Sequence, residues 1–153
     1  MPRTDIPVDK NISADMKTDS SIKDISTAAI RRSSIDLDKW ARTKLINDFP
    51  LDIKPTDDEL PVVYLFIDNN NWTLITTRQI VGHLNSVKQK VAFDELDDFV
   101  WGDYKSKTAD KTIFRTTNFQ GEQNDFYMET GYPSMAIIKA VSTIENLYKQ
   151  ADT

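Results

Sequence analysis

The chain has 153 residues, 39% hydrophobic and 28% charged, with a net charge of -5 and one histidine. This is apolar material for a single core plus a tail, and the acidic balance disfavours a general nucleic-acid binder, because phosphate contacts need clustered Lys and Arg. Cysteine is absent, which removes disulfides, thiolate catalysis and cysteine-based metal sites together.

No window approaches the roughly 18 apolar residues of a spanning helix. The first residues, MPRTDIPVDKNISADMK, scatter Asp through a segment with no apolar run, unlike a secretory signal. The expectation is a cytoplasmic protein without integral membrane association. Residues 1–32 are polar, with six basic and five acidic residues, and read as a flexible arm. Within it, Ser21 and Asp24 have capping-box spacing, and Ile22, Ile25 and Ala29 share a helical face, so a short helix is expected to order against a partner or its own domain. Ser33 and Asp36 repeat the cap ahead of Leu37, Trp40, Ala41, Leu45 and Phe49, a spacing that predicts a helix over 34–49, ended by Pro50. Residues 50–61, with three prolines and Asp57-Asp58-Glu59, read as an acidic linker. The chain thus divides into an arm at 1–32, a helix and linker at 33–61, and a domain at 62–153.

From Val62 the period changes. Val62 to Ile67 is a continuous apolar run, as in a buried strand. Asp68-Asn69-Asn70-Asn71 suits a tight turn with positive φ. Trp72 to Thr76 and Gln79 to Leu84 form the next two strands, joined at Thr77-Arg78. Val87, Gln89, Val91 and Phe93 alternate with Lys88, Lys90 and Ala92, predicting a half-buried strand. Leu96 to Trp101 is short and apolar, a polar loop follows to Asp110, and Lys111–Phe119 with Asn124–Glu129 predict a last hairpin. After Gly131 and Pro133, the stripe Ile137, Val141, Ile144 and Tyr148 predicts an amphipathic helix that covers the sheet.

Six or seven short antiparallel strands followed by one C-terminal helix resemble a bacterial pleckstrin-homology-like (PH-like, GRAM-like) domain. WTLITTRQIVGHL resembles the second and third strands of that family. VAFDELDDFVW resembles its later strand pair, with Phe93, Leu96 and Phe99 in the apolar positions. The resemblance spans about residues 62–149. It implies an α+β fold, a PH-like antiparallel β-barrel or bent sheet capped by the C-terminal helix, with an added N-terminal helix. Eukaryotic PH domains that bind phosphoinositides carry a basic cluster around the loop after the first strand. Here that loop reads Asp68-Asn69-Asn70-Asn71, with only Arg78 further on, so a polyanionic headgroup is poorly matched.

The densest acidic cluster is Asp94, Glu95, Asp97 and Asp98. Adjacent acids on a turn ordinarily face water, and their spacing is not that of a calcium loop. Trp101, Asp103 and Tyr104 follow at a strand end. An exposed aromatic there would anchor a partner, although small barrels also consume aromatics as core. These seven residues form the expected partner-binding face, suited to a basic protein. His83 stands alone in a strand, with no Gly-x-Ser-x-Gly elbow anywhere in the chain. No catalytic, cofactor-binding or metal-ligating residue is assigned. The expected function is a non-enzymatic protein-interaction module. A toxin-neutralising immunity protein and a weak peripheral lipid binder are the alternatives.

Overall fold

The computed structural model describes residues 17–34, 40–50, 53–56 and 58–151. Helix α1 (Asp19–Ser33) starts at Thr18, whose Oγ1 accepts from the Ser21 N–H at 3.1 Å, and ends on Arg31 and Arg32, where the helix dipole favours cations. The cap therefore lies three residues before the expected Ser21. Ile22, Ala29 and Ile30 are buried, so residues 19–32, read above as part of a flexible arm, form a helix packed into the domain. Residues 1–16 of that arm lie outside the described residues. Lys23 reinforces the docking by donating from Nζ to the carbonyls of Ile46, at 2.7 Å, and Pro61.

The helix expected over 34–49 is not formed at residues 40–49; residues 35–39 lie outside the described set. Strand β1 (Thr43–Leu45) occupies this stretch instead, pairing antiparallel with β2 (Pro61–Asp68) as Thr43↔Leu65 and Leu45↔Val63. Local periodicity loses to tertiary pairing. The buried Glu129 carboxylate accepts from the N–H groups of Arg42 and Thr43 at 3.3 and 3.0 Å and from the Thr43 hydroxyl at 2.7 Å. A helix there would strand that carboxylate among unpaired groups.

The remaining strands follow the sequence pattern closely: β3 (Asn71–Thr76), β4 (Gln79–Leu84), β5 (Val87–Ala92), β6 (Leu96–Val100), β7 (Lys111–Asn118) and β8 (Gln123–Glu129). Helix α2 (Ser134–Ala151) buries Ala136, Ile137, Ala140, Val141 and Ile144. The positive-φ turn is misplaced in the sequence reading. Asn69 to Asn71 keep negative φ, and Asp68 instead orders the turn by accepting from the Asn70 N–H at 2.8 Å. Positive φ falls on Asn85 and Ser86, in the two-residue β4–β5 hairpin, as a type I′ turn requires.

The architecture is α+β, with two helices and two antiparallel sheets, ordered β1-β2-β3-β4-β5 and β6-β7-β8. They do not close into a barrel. Instead β8 runs across the larger sheet. The Lys90 N–H on β5 donates to Asn124 Oδ1, the Asp125 N–H to Gln89 Oε1, and Thr73 Oγ1 on β3 to the Tyr127 carbonyl at 2.7 Å. Glu129 ends at β1. Five residue steps of strand span about 17 Å, and four interstrand spacings about 19 Å, so β8 lies nearly perpendicular to the strands beneath it. Between the sheets Phe114 stacks on Phe126 at 5.3 Å. The two helices pack on each other and fill the remaining open end, with Tyr148 stacked on Phe93 at 5.7 Å.

Gly82 makes the crossing possible. A Cβ there would collide with the Trp72 carbonyl oxygen and sit 3.3 Å from Phe126 Cδ1. Gly82→Ala is therefore expected to destabilise the fold by about 1–3 kcal/mol through overpacking, read as a lower urea midpoint with an unchanged slope.

Candidate functional site

The 3-10 turn Phe93–Glu95 turns the chain from β5 into β6. Phe93 is buried against Tyr148, and its N–H donates to the Arg78 carbonyl at 2.9 Å. The Glu95 carbonyl accepts from the Phe119 N–H at 3.0 Å. With the backbone pinned on both sides, the Asp94 and Glu95 side chains are left facing water. The β6–β7 register then slips between Leu96↔Asn118 and Asp98↔Thr117, so Asp97 is the extra residue of a bulge. Strict alternation would send Asp97 and Asp98 to opposite faces; the bulge keeps both exposed.

The expected face is thus half assembled. Asp94, Glu95, Asp97, Asp98 and Asp103 are all exposed. Trp101 is half-buried and turned inward, 5.0 Å from Phe99 and 5.1 Å from Phe114. Tyr104 packs against the core, with the Lys105 ammonium 5.7 Å from its ring centre. The exposed apolar surface next to the acids comes from residues the sequence reading did not single out. Val100 is 62% and Ile113 39% exposed. With Trp101, Asp98, Arg115 and Asp125 they line an open recess of about 570 Å³ on the outer face of the three-stranded sheet. Arg115 and Asp125 pair across it in a bidentate contact at 2.8 and 3.1 Å.

A second constellation surrounds the Thr76-Thr77-Arg78 corner. Arg78 grips Asp19 through Nε at 3.1 Å and a terminal nitrogen at 2.8 Å, and Thr77 Oγ1 donates to the same carboxylate at 2.5 Å. The Tyr148 hydroxyl donates to the Thr77 carbonyl at 2.8 Å. Burial first, then the charges of Asp19 and Asp94, push the Tyr148 phenol up to about 12, so it remains a donor. Nearby, the buried Glu59 carboxylate accepts from the Thr56 N–H at 3.1 Å, the Gln79 amide at 2.9 Å and the Thr76 hydroxyl. The adjoining cavity, about 440 Å³, mixes Lys17, Arg78 and Lys90 with Asp19, Glu59 and Asp94. Arg78 is not near the Asp68–Asn71 turn. It lies at the far end of β3, about 17 Å along the strand, already committed to Asp19.

The outer face of the five-stranded sheet holds a third feature. Trp72 and His83 are paired across β3 and β4 and stack at 4.9 Å and 29°. They line a groove of about 350 Å³ with Lys54, Val81, Lys88 and Lys90. The lone histidine therefore serves an aromatic cluster; a period-two reading of β4 would have placed it beside Trp72. Among the described residues no cluster of three or more His, Asp or Glu is arranged to hold a metal ion. No helix among them is long and apolar enough to cross a membrane.

Burial by itself would raise the Asp19 carboxyl, but the hydrogen bonds from Arg78 and Thr77 and the Arg78 charge outweigh it and hold the group below the ordinary aspartate value. A carboxyl depressed in the folded state contributes its full stabilisation above its unfolded value of about 4 and loses it as pH falls through the folded value. Asp19→Asn is expected to cost about 1–3 kcal/mol at neutral pH. The gap to wild type should narrow at about pH 3, as read by urea unfolding at the two pH values. With the geometry in place, no family model, no curated protein and no solved structure matches this chain at a significant level.

Proposed function

We propose that the chain is a PH-like protein-interaction module whose partner-facing surface is the outer side of the three-stranded sheet and the acidic turn beside it. The observation that carries this reading is the juxtaposition of exposed Val100 and Ile113 with Asp98 at one recess, with the bulged Asp97 exposed beside Asp98 on the same strand. Apolar side chains left in water at the centre of a patch rimmed by carboxylates suit an apolar contact surrounded by basic residues. The element order supports the PH-like half of the reading, because β2 to β8 are seven antiparallel strands followed by α2.

The partner contemplated is a basic protein. Outward strand addition at the edge of β6 is disfavoured by the same bulge and charges, which blunt an edge against further pairing. Docking is therefore onto the face. An anionic membrane surface would meet five exposed carboxylates there, which weighs against the lipid alternative. The immunity reading is a special case of the same interaction, with a basic toxin as partner.

Asp97→Lys with Asp98→Lys, and separately Ile113→Glu, test the surface. Both changes are on exposed side chains and should leave stability within about 0.5 kcal/mol. Capture of the cognate partner is expected to weaken about tenfold or more, measured by quantitative pull-down from the source lysate. Undiminished capture by both variants would remove this face from consideration.

A further inference from the structure

Among the described residues, the lining of the Trp72–His83 groove holds three lysines and no carboxylate, whereas three other cavities each hold at least one carboxylate. In a chain of net charge -5 this is a local reversal of sign. Charges are felt over about 8–10 Å at ordinary ionic strength, so a ligand in the groove meets Lys54, Lys88 and Lys90 directly, while Gln79 and Lys90 also border the neighbouring cavity that holds Glu59 and Asp94. The pairing explains the segregation. Leu65, Thr73, Gly82 and Gln89 form the row facing β8, so their strand neighbours Phe66, Trp72, His83, Lys88 and Lys90 face the other way. This face therefore lies on the side of the molecule opposite the acidic recess.

We propose that this groove is a docking site for an extended acidic segment of a partner protein, with carboxylates at alternate positions and an aliphatic side chain between them. Lys88 and Lys90 are two residues apart on one strand, about 7 Å, which is the repeat of same-side residues in an extended peptide. Lys54 lines the same groove from the segment that precedes β2. Val81 and Ile53 add apolar lining to the groove. Phe66, 43% exposed and paired with Trp72, extends the apolar surface beyond the groove. A single-stranded nucleic acid would need an open aromatic face for each base. Here Trp72 is stacked by His83 and flanked by Tyr64 at 6.2 Å, so the geometry favours carboxylate recognition over base stacking. The site does not depend on the acidic recess, and together they would let one module join two partners of opposite charge.

The test is an amide-shift titration of the whole chain with a synthetic peptide bearing Glu at alternate positions and Val or Leu between them. Saturable shifts are expected at His83, Lys88, Lys90 and the Trp72 indole, weakening as salt is raised. Lys88→Glu with Lys90→Glu should lower the affinity about tenfold or more. Lys54→Glu, which lies outside every strand, should lower it in the same direction without touching the sheet ladder. A peptide with Gln in place of Glu should not bind. The absence of saturable shifts, shifts confined to another surface, or unchanged affinity in the lysine variants would overturn the proposal. So would saturation of the groove by a single-stranded oligothymidylate, or by phosphatidylserine vesicles, when the peptide fails.

Discussion

Within seven residues β8 reaches from β5 to β1, and it can do so because Gly82 leaves room for Phe126 against the backbone of the strands beneath. That crossing sets the geometry of everything else. It fixes the angle between the sheets, places Phe114, Phe126 and Met128 between them fully buried, and leaves one end open. The two helices fill that end, joined to each other and tied to the sheet by Lys23, Asp19 and Tyr148.

Buried carboxylates act here as fasteners. Glu129 takes hydrogen bonds from two backbone N–H groups and a hydroxyl of β1 and its approach. Glu59 binds the Thr56 backbone, the Gln79 amide and the Thr76 hydroxyl at the β3–β4 corner. Each joins segments remote in sequence, and each would be costly to bury without its donors. Asp19 does the same for α1, with the guanidinium of Arg78 as its main donor. The threonine-rich corner thus serves as a polar joint between helix, linker and sheet.

The surface charge follows from strand parity and one bulge. The residues facing β8, Leu65, Thr73, Gly82 and Gln89, are uncharged, and strand alternation sends the lysines of β5 to the far side of the larger sheet, around Trp72 and His83. On β6 the bulge at Asp97 overrides parity and gathers acids at the rim of the smaller sheet. The two outer faces therefore differ in sign although the chain as a whole is acidic.

Much of the fold was legible in the residues. The strands β2 to β8 carry period-two patterns or apolar runs between polar turns, and α2 carries an unbroken apolar stripe; these are local signals, and the local chain obeys them. Residues 40–49 show where locality ends. Trp40, Ala41, Leu45 and Phe49 have helical spacing, yet the edge of β2 and the Glu129 carboxylate, distant in sequence, offer the backbone better partners. The site was legible only by composition. The acids of 94–103 were visible and are exposed, but whether Trp101 faced a partner or Phe114 depended on sheet packing. Likewise Lys54, Lys88 and Lys90 meet only because the chain before β2 passes over the sheet. Composition and period alone determined which residues are acidic, apolar or strand-forming. Register, crossing angle and the company each side chain keeps were decided by tertiary structure, because they depend on contacts between segments that no local pattern encodes.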